Sequence, residues 1–256
     1  MNRRDMLKVS SYVLAGVSAP AVAESSVMPA AKDAVARWDF IELKFAGPAS
    51  GNPFLDVHLA ATFRLKNRVL AVEGFYDGDG AYKVRFMPDE MGTWTWTTAS
   101  SSTQLDGRSG AFACVAPEEG NRGPVSVRDD YQFGYADGTP YVEVGTTCYA
   151  WAFQAEEAHR QTIETLVHSP LNKLRMCIFP KWYEYNRKEP PMYPFPRHGE
   201  VNDFSQFNAA YFQHLDGLIL ELRRIGVQAD LILFHPYDKW CYQSMPGEAN
   251  ERYLRY

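Results

Sequence analysis

The residues equipped to do chemistry gather just beyond three short apolar runs. Tyr149 and Trp151 close and follow Tyr141–Tyr149 (YVEVGTTCY), Pro180 and Trp182 end and follow Lys173–Pro180 (KLRMCIFP), and His235, Asp238 and Trp240 end and follow Gln228–Pro236 (QADLILFHP). Tyrosine and tryptophan combine an apolar face with a polar tip, which suits stacking against a sugar ring. Tyr183 and Tyr237 add two more rings of this kind. A histidine in the place of His235 could donate to a sugar hydroxyl, with Asp238 accepting from another hydroxyl or fixing the imidazole. Against that stands the plainer reading, in which some of the rings only pack the mouth of the fold and a histidine beside proline is structural. Glu184 is a weaker candidate in the same region. Arg175 stands inside the second run, where a charge is costly unless paired. A structural carboxylate such as Glu143 would be one partner.

Those side chains need elements to hold them. Near-continuous apolar runs alternating with helical segments mark a parallel sheet covered on both faces. In such sheets ligands meet the residues past the carboxyl ends of the strands. Glu156–His168 is helical in composition and Pro170 closes it. In Asn202–Gly226, Phe212, Leu215, Ile219, Leu222 and Ile225 recur at spacings of three and four, with Gly226 as a C-cap, so these five are expected in the core. Between the second run and this helix lies a long aromatic loop, Lys181–Val201, carrying Trp182, Tyr183, Tyr185, Tyr193 and Phe195. A loop that long inside a compact domain is usually functional or disordered. Asn250–Tyr256 begins a further helix.

The first half has the other period. Trp38–Phe45, Val57–Leu65, Val69–Tyr76, Ala81–Met87, Thr93–Thr98 and Gly110–Val115 read as strands, with Asp77-Gly78-Asp79-Gly80 as a tight turn. Strands about ten residues apart, separated by Gly, Asp and Pro, suggest an antiparallel immunoglobulin-like β-sandwich over 36–116. Asp77 and Asp79 could ligate calcium, but Asp-Gly pairs in hairpins are far more often turns, and no metal is assigned. Pro117–Pro124 (PEEGNRGP) is the linker. Val125–Arg128 and Gln132–Tyr135 form an expected hairpin at the start of the second unit, 125–256.

The chain of 256 residues carries a net charge of −5, and its first 23 residues hold Arg3, Arg4 and Lys8 against Asp5, so the remainder is more acidic still. An acidic body without a basic stripe argues against nucleic acid or an anionic membrane as partner. Aromatic residues make up 14%, with 6 Trp and 15 Tyr, a surplus that aromatic-rich β structure explains only in part. Residues 1–23 read as a targeting segment: Asn2–Lys8 (NRRDMLK) is similar to a twin-arginine export signal, and Ala21-Val22-Ala23 is a small-x-small cleavage site. The apolar part is too short and interrupted to span a bilayer in the mature protein. Residues 24–35 follow as a linker. Cys114, Cys148, Cys177 and Cys241 show no metal-ligand spacing and are expected as structural thiols. No cofactor motif is present.

Several motifs together resemble one family. Gly74–Gly80 (GFYDGDG), Arg85–Pro88 (RFMP) and Gly92-Thr93-Trp94 are similar to the N-terminal sandwich of apiosidase-like glycoside hydrolases. Tyr135–Pro140 (YADGTP), Gly145–Trp151 (GTTCYAW), Asn172–Met176 (NKLRM), Phe179-Pro180 and Phe234–Asp238 (FHPYD) are similar to their catalytic barrel. The resemblance runs from Trp38 to Tyr256. It implies a secreted or periplasmic hydrolase of O-glycosyl bonds in complex polysaccharide, with a sandwich followed by the first three βα units of a (β/α)8 TIM barrel. A closed barrel needs roughly 250 residues and only about 126 follow Asp130, so the second unit is either a small open sheet or, as the resemblance implies, the front part of a longer enzyme. The resemblance places the acid/base carboxylate at the end of a fourth strand and the nucleophile on a later one, so the catalytic pair is expected beyond Tyr256. It gives Arg175 a supporting role, hydrogen-bonding the nucleophile, and leaves Tyr149, Trp151, Trp182, His235, Asp238 and Trp240 as substrate contacts along one wall of a cleft. The alternatives are a non-catalytic carbohydrate-binding protein and a surface adhesion module.

Overall fold

A computed structural model describes residues 34–235 and 238–256. The expected export signal, the linker up to Asp33, and Pro236 and Tyr237 lie outside the described residues. The first strand begins at Ala34, inside the stretch expected to be linker.

The first half is one seven-stranded sheet. Its strands are β1 (Ala34–Ala36), β2 (Ile41–Ala46), β3 (Leu59–Leu65), β4 (Arg68–Tyr76), β5 (Ala81–Phe86), β6 (Gly92–Ser100) and β7 (Ser109–Val115), with a single helical turn α1 (Pro53–Asp56) before β3. The order is β1-β7-β6-β3-β4-β5-β2. Every pairing is antiparallel except that of β1 with β7, which is parallel. The expected strand from Trp38 starts only at Ile41. Asp39 N–H donates to the Ala36 carbonyl, the Asp39 carboxylate takes the Phe40 N–H, and Trp38 sits at φ 65°, so this stretch turns instead of extending.

β4 makes the sheet fold over. It pairs with β3 as far as Glu73 and with β5 from Gly74 onward, so one strand serves two layers. A side chain at Gly74 would come within 2.9 Å of the Lys83 carbonyl and 2.8 Å of Leu59, so the bend requires glycine. Alternation does the rest: Ile41, Leu43, Phe45, Phe63, Tyr82, Val84, Phe86, Trp94 and Phe112 point inward and are buried. Phe63 of β3 stacks on Phe86 of β5 at 4.1 Å between ring centroids, face to face across the layers. At the turn Asp77–Gly80, Gly78, Asp79 and Gly80 all have positive φ, and the Asp77 carboxylate pairs with Lys83 at 2.6 Å.

The second half alternates. A hairpin of β8 (Val125–Arg128) and β9 (Gln132–Tyr135) leads to β10 (Gly145–Thr147), α2 (Glu156–Val167), β11 (Lys173–Cys177), a small ribbon β12 (Arg197–His198) and β13 (Val201–Asn202), then α3 (Ala209–Arg224), β14 (Gln228–Ile232) and α4 (Gly247–Arg255). β10, β11 and β14 form a parallel sheet in that order. The run Tyr141–Tyr149 supplies only three strand residues, because its start is tied elsewhere. Tyr141 N–H goes to the Phe133 carbonyl of the hairpin, while the Asn172 side chain takes the Val144 N–H and donates to the Val142 carbonyl. Past Thr147 the pairing continues irregularly, from Cys148 N–H to Arg175 and from Cys177 N–H to Tyr149.

α3 is amphipathic as expected. Leu215 and Leu222 are buried with Tyr211 and Leu218, while Phe212, Ile219 and Ile225 pack at the edge of the same core. Gly226, at φ 74°, ends it, and Arg223 and Arg224 sit in the last turn, where the helix dipole favours cations. The far side of α3 meets the folded sheet. Asp216 accepts from Arg85 at 2.6 Å, Gln213 donates to the Asp77 carbonyl, and Arg223 pairs with Asp39 at 2.7 Å. Beside them Tyr256 stacks on Phe207 at 4.2 Å and meets Phe54 and Phe75 edge-on. Among the described residues no helix is long and apolar enough to cross a membrane.

Phe63→Ala removes the ring that joins the two layers and is expected to cost about 3–5 kcal/mol. Urea denaturation at fixed m-value measures it.

Candidate functional site

The parallel strands place their carboxyl ends on one side, and the loops that follow carry the expected residues. The structure sorts those residues into four groups. Tyr149 is 39% exposed and meets Tyr183 edge-on at 6.0 Å, and Tyr183 in turn meets Tyr185, which is 81% exposed. This forms an aromatic ridge open to solvent after β10 and β11.

Trp151 does not join the ridge. It is 3% exposed in a short 3₁₀ turn after β10, and its ring packs on His159 of α2. His159 contacts the Trp151 carbonyl through Nε2 at 2.7 Å, and His214 contacts that of Ala152. A carbonyl only accepts, so both imidazoles donate here, and the turn is pinned from the helix side. Trp151 is a buried support in this structure.

Trp182 and Trp240 come together, edge to face at 6.1 Å. Trp182 is part-exposed and Trp240 is buried. Two residues absent from the sequence expectation complete this cluster. Glu189 accepts from Tyr193 Oη at 2.7 Å and Trp240 Nε1 at 2.9 Å, and it pairs with Lys239. Lys239 Nζ lies 4.0 Å from the Trp182 ring centroid. The Lys239 ammonium, then the Tyr193 hydroxyl, outweigh partial desolvation and hold the Glu189 carboxyl down at about 2. The only signal in the sequence was a charge within an aromatic loop, and nothing there tied Glu189 to Lys239 fifty positions on.

His235 and Asp238 do meet, but both side chains are enclosed. His235 Nε2 contacts the Phe179 carbonyl at 3.2 Å, its Nδ1 lies 3.4 Å from Asp238 Oδ2, and Asp238 Oδ1 takes the Trp240 N–H at 2.6 Å. The Nδ1 to Oδ2 contact is not aligned as a hydrogen bond. Burial lowers the His235 pKa and raises that of Asp238, so both groups are driven toward their neutral forms. In this structure they close the loop after β14 and present nothing to solvent.

Arg175 finds Asp230, not Glu143. The two are direct register partners on β11 and β14, with Nε to Oδ2 at 2.9 Å. Glu143 is taken by Lys173 at 2.8 Å. The Arg175 side chain is about half exposed on the sheet face opposite the buried Leu174 and Met176. Asp230 was also missed; a charge within the run QADLIL, at the same strand position as Arg175, was its signal. Among the described residues, no group of three or more His, Cys, Asp or Glu could hold a metal ion.

Three comparisons with known proteins bear on this arrangement. The DUF5060 family, a domain of unknown function, matches residues 34–101. The solved structure of a candidate glycoside hydrolase from Bacteroides vulgatus ATCC 8482 is similar at a TM-score of 0.84 and 42% identity, over 87% of this chain and 46% of that one. The chain thus spans less than half the length of that relative. A family 39 glycoside hydrolase from the gut symbiont Bacteroides cellulosilyticus WH2 matches at 11% identity over 88% of this chain and 39% of that one, with a TM-score of 0.26, too low to carry an argument. No curated protein matches.

His235→Ala leaves the Phe179 carbonyl and the enclosed Asp238 carboxyl without their neighbour. It is expected to destabilise the fold by about 1–3 kcal/mol. Asp238→Asn keeps the Oδ1 acceptor for Trp240 and is expected to cost less. Chemical denaturation of both variants checks the order.

Proposed function

We propose that the chain is the N-terminal portion of a glycoside hydrolase and supplies one wall of its sugar-binding cleft. The observation that carries this reading is the parallel β10–β11–β14 sheet, with Tyr149, Tyr183, Tyr185 and Trp182 gathered past its strand ends. The similarity to a candidate glycoside hydrolase over 87% of the chain supports it. In this reading the parallel sheet is the first three βα units of a TIM barrel of apiosidase-like type, and the folded sheet before it is an immunoglobulin-like sandwich. The substrate is a complex polysaccharide, and the protein works in the periplasm or outside the cell, sent there by residues 1–23.

The exposed rings stack on sugar faces. Trp240 packs against Trp182, and His235 with Asp238 holds the third loop in place. Arg175 stands half exposed on the open sheet face, where it can steady a carboxylate from elsewhere in the site. Retaining hydrolysis needs two carboxyl groups roughly 5 Å apart, flanking the scissile bond, and the reading assigns that pair to strands other than these three.

Purified residues 24–256 are therefore expected to bind plant-polysaccharide oligosaccharides without cleaving them. Isothermal titration and a reducing-sugar assay test the two halves of that statement. Reducing-sugar release by these residues alone would overturn the assignment of the catalytic pair. Binding by 36–116 alone as strong as that of 24–256 would favour an adhesion module.

A further inference from the structure

The aromatic loop between β11 and β12 converges on one carboxylate. Glu189 Oε2 takes the Tyr193 hydroxyl and the Trp240 indole N–H, and Oε1 takes the Lys239 ammonium. These donors come from two separate stretches of chain, the loop itself and the segment after β14. Lys239 then lies over Trp182 at 4.0 Å and near Trp240 at 5.5 Å. Tyr193 meets Trp240 edge-on at 6.4 Å and carries the Arg197 guanidinium over its ring at 4.4 Å. Glu189 is the member to which the Tyr193 hydroxyl, the Trp240 indole and the Lys239 ammonium all donate.

Ring packing alone does not orient such a cluster, because edge-to-face contacts are weak and tolerate rotation. Hydrogen bonds to a charged acceptor are stronger and directional. The ion pair to Lys239 is half-exposed and screened by solvent, so it contributes little by itself. The bond from Trp240 is different, since that indole is buried and its N–H has this one acceptor.

We propose that Glu189 is the positioning residue of the aromatic wall, holding Trp240 directly and Trp182 through Lys239, and so setting the tilt of the ring that a sugar would stack on. That the ligand is a sugar rests on the function proposed above; the positioning itself does not.

The test uses the 256-residue chain labelled with fluorotryptophan, in which fluorine NMR resolves the 6 tryptophans and Trp→Phe variants assign them. Glu189→Gln, which keeps the shape and removes the charge, is expected to shift the Trp182 and Trp240 resonances and leave Trp38, Trp94, Trp96 and Trp151 in place. Lys239→Met is expected to move Trp182 more than Trp240, and Glu189→Asp to restore part of the wild-type pattern. An unmoved Trp182 in both Glu189→Gln and Lys239→Met would overturn the proposal, as would a shift of all six resonances together, the mark of general loss of packing. A second arm titrates xylo- and pectin oligosaccharides into wild type and Glu189→Gln, with binding expected to weaken about three- to tenfold. If no oligosaccharide binds the wild type while the fluorine shifts are as expected, the carbohydrate reading falls and the positioning role stands. Equal affinity for both proteins would sink the claim that the tilt matters to a ligand.

Discussion

Helix α3 is held from both sides, and the rest of the structure depends on that. Its inner face, through Tyr211, Leu215, Leu218 and Leu222, closes the core beneath the parallel sheet, and the Tyr211 hydroxyl donates to the Ile178 carbonyl at the end of β11. Its outer face carries Asp216 to Arg85, which also holds Glu42 at 2.7 Å. Burial works against the charge on Arg85, yet Asp216 and Glu42 more than compensate and raise its pKa. A charge in that seam is tolerated because it is paired twice. Beside it Tyr256, Phe207 and Phe54 pack ring against ring. The folded sheet is thus a buttress for the helix, and the helix fixes where β11 and β14 end.

The strand ends divide their labour by depth. Close to the core, Trp151, His235 and Asp238 are enclosed; His235 meets the Phe179 carbonyl and Asp238 takes the Trp240 N–H. Above them, Trp240 is a buried ring with one outward bond to Glu189. At the rim stand Tyr149, Tyr185 and the partly buried Trp182. A ligand surface built this way presents rings whose orientation is set from below by hydrogen bonds, which limits the ordering cost of binding. The aromatic surplus noted in the composition accordingly has two uses, and only the rim is free for a ligand.

The legible parts were those with a local period. Two-residue alternation marked the inward residues of β2, β3, β5 and β6, and Asp77–Gly80 declared its turn through residues that tolerate positive φ. Spacings of three and four marked α3. The shortfall at Tyr141–Tyr149 has a physical cause: the pattern was apolar enough, but the Asn172 side chain and the hairpin carbonyl of Phe133 competed for its backbone. A strand needs a backbone partner in register, and periodicity reports only its own residues.

Sequence alone thus determined the β-rich first half, the alternating second half, and the general place where functional side chains would collect, because backbone geometry writes those into local order. Tertiary structure decided the partners. Arg175 chose Asp230 over Glu143 because parallel register sets those two opposite each other. Glu189 met Lys239 and Trp240 because the loop after β11 folds across the loop after β14. His235 and Asp238 looked like exposed polar contacts and became an enclosed pair, since desolvation depends on what the rest of the chain lays over them.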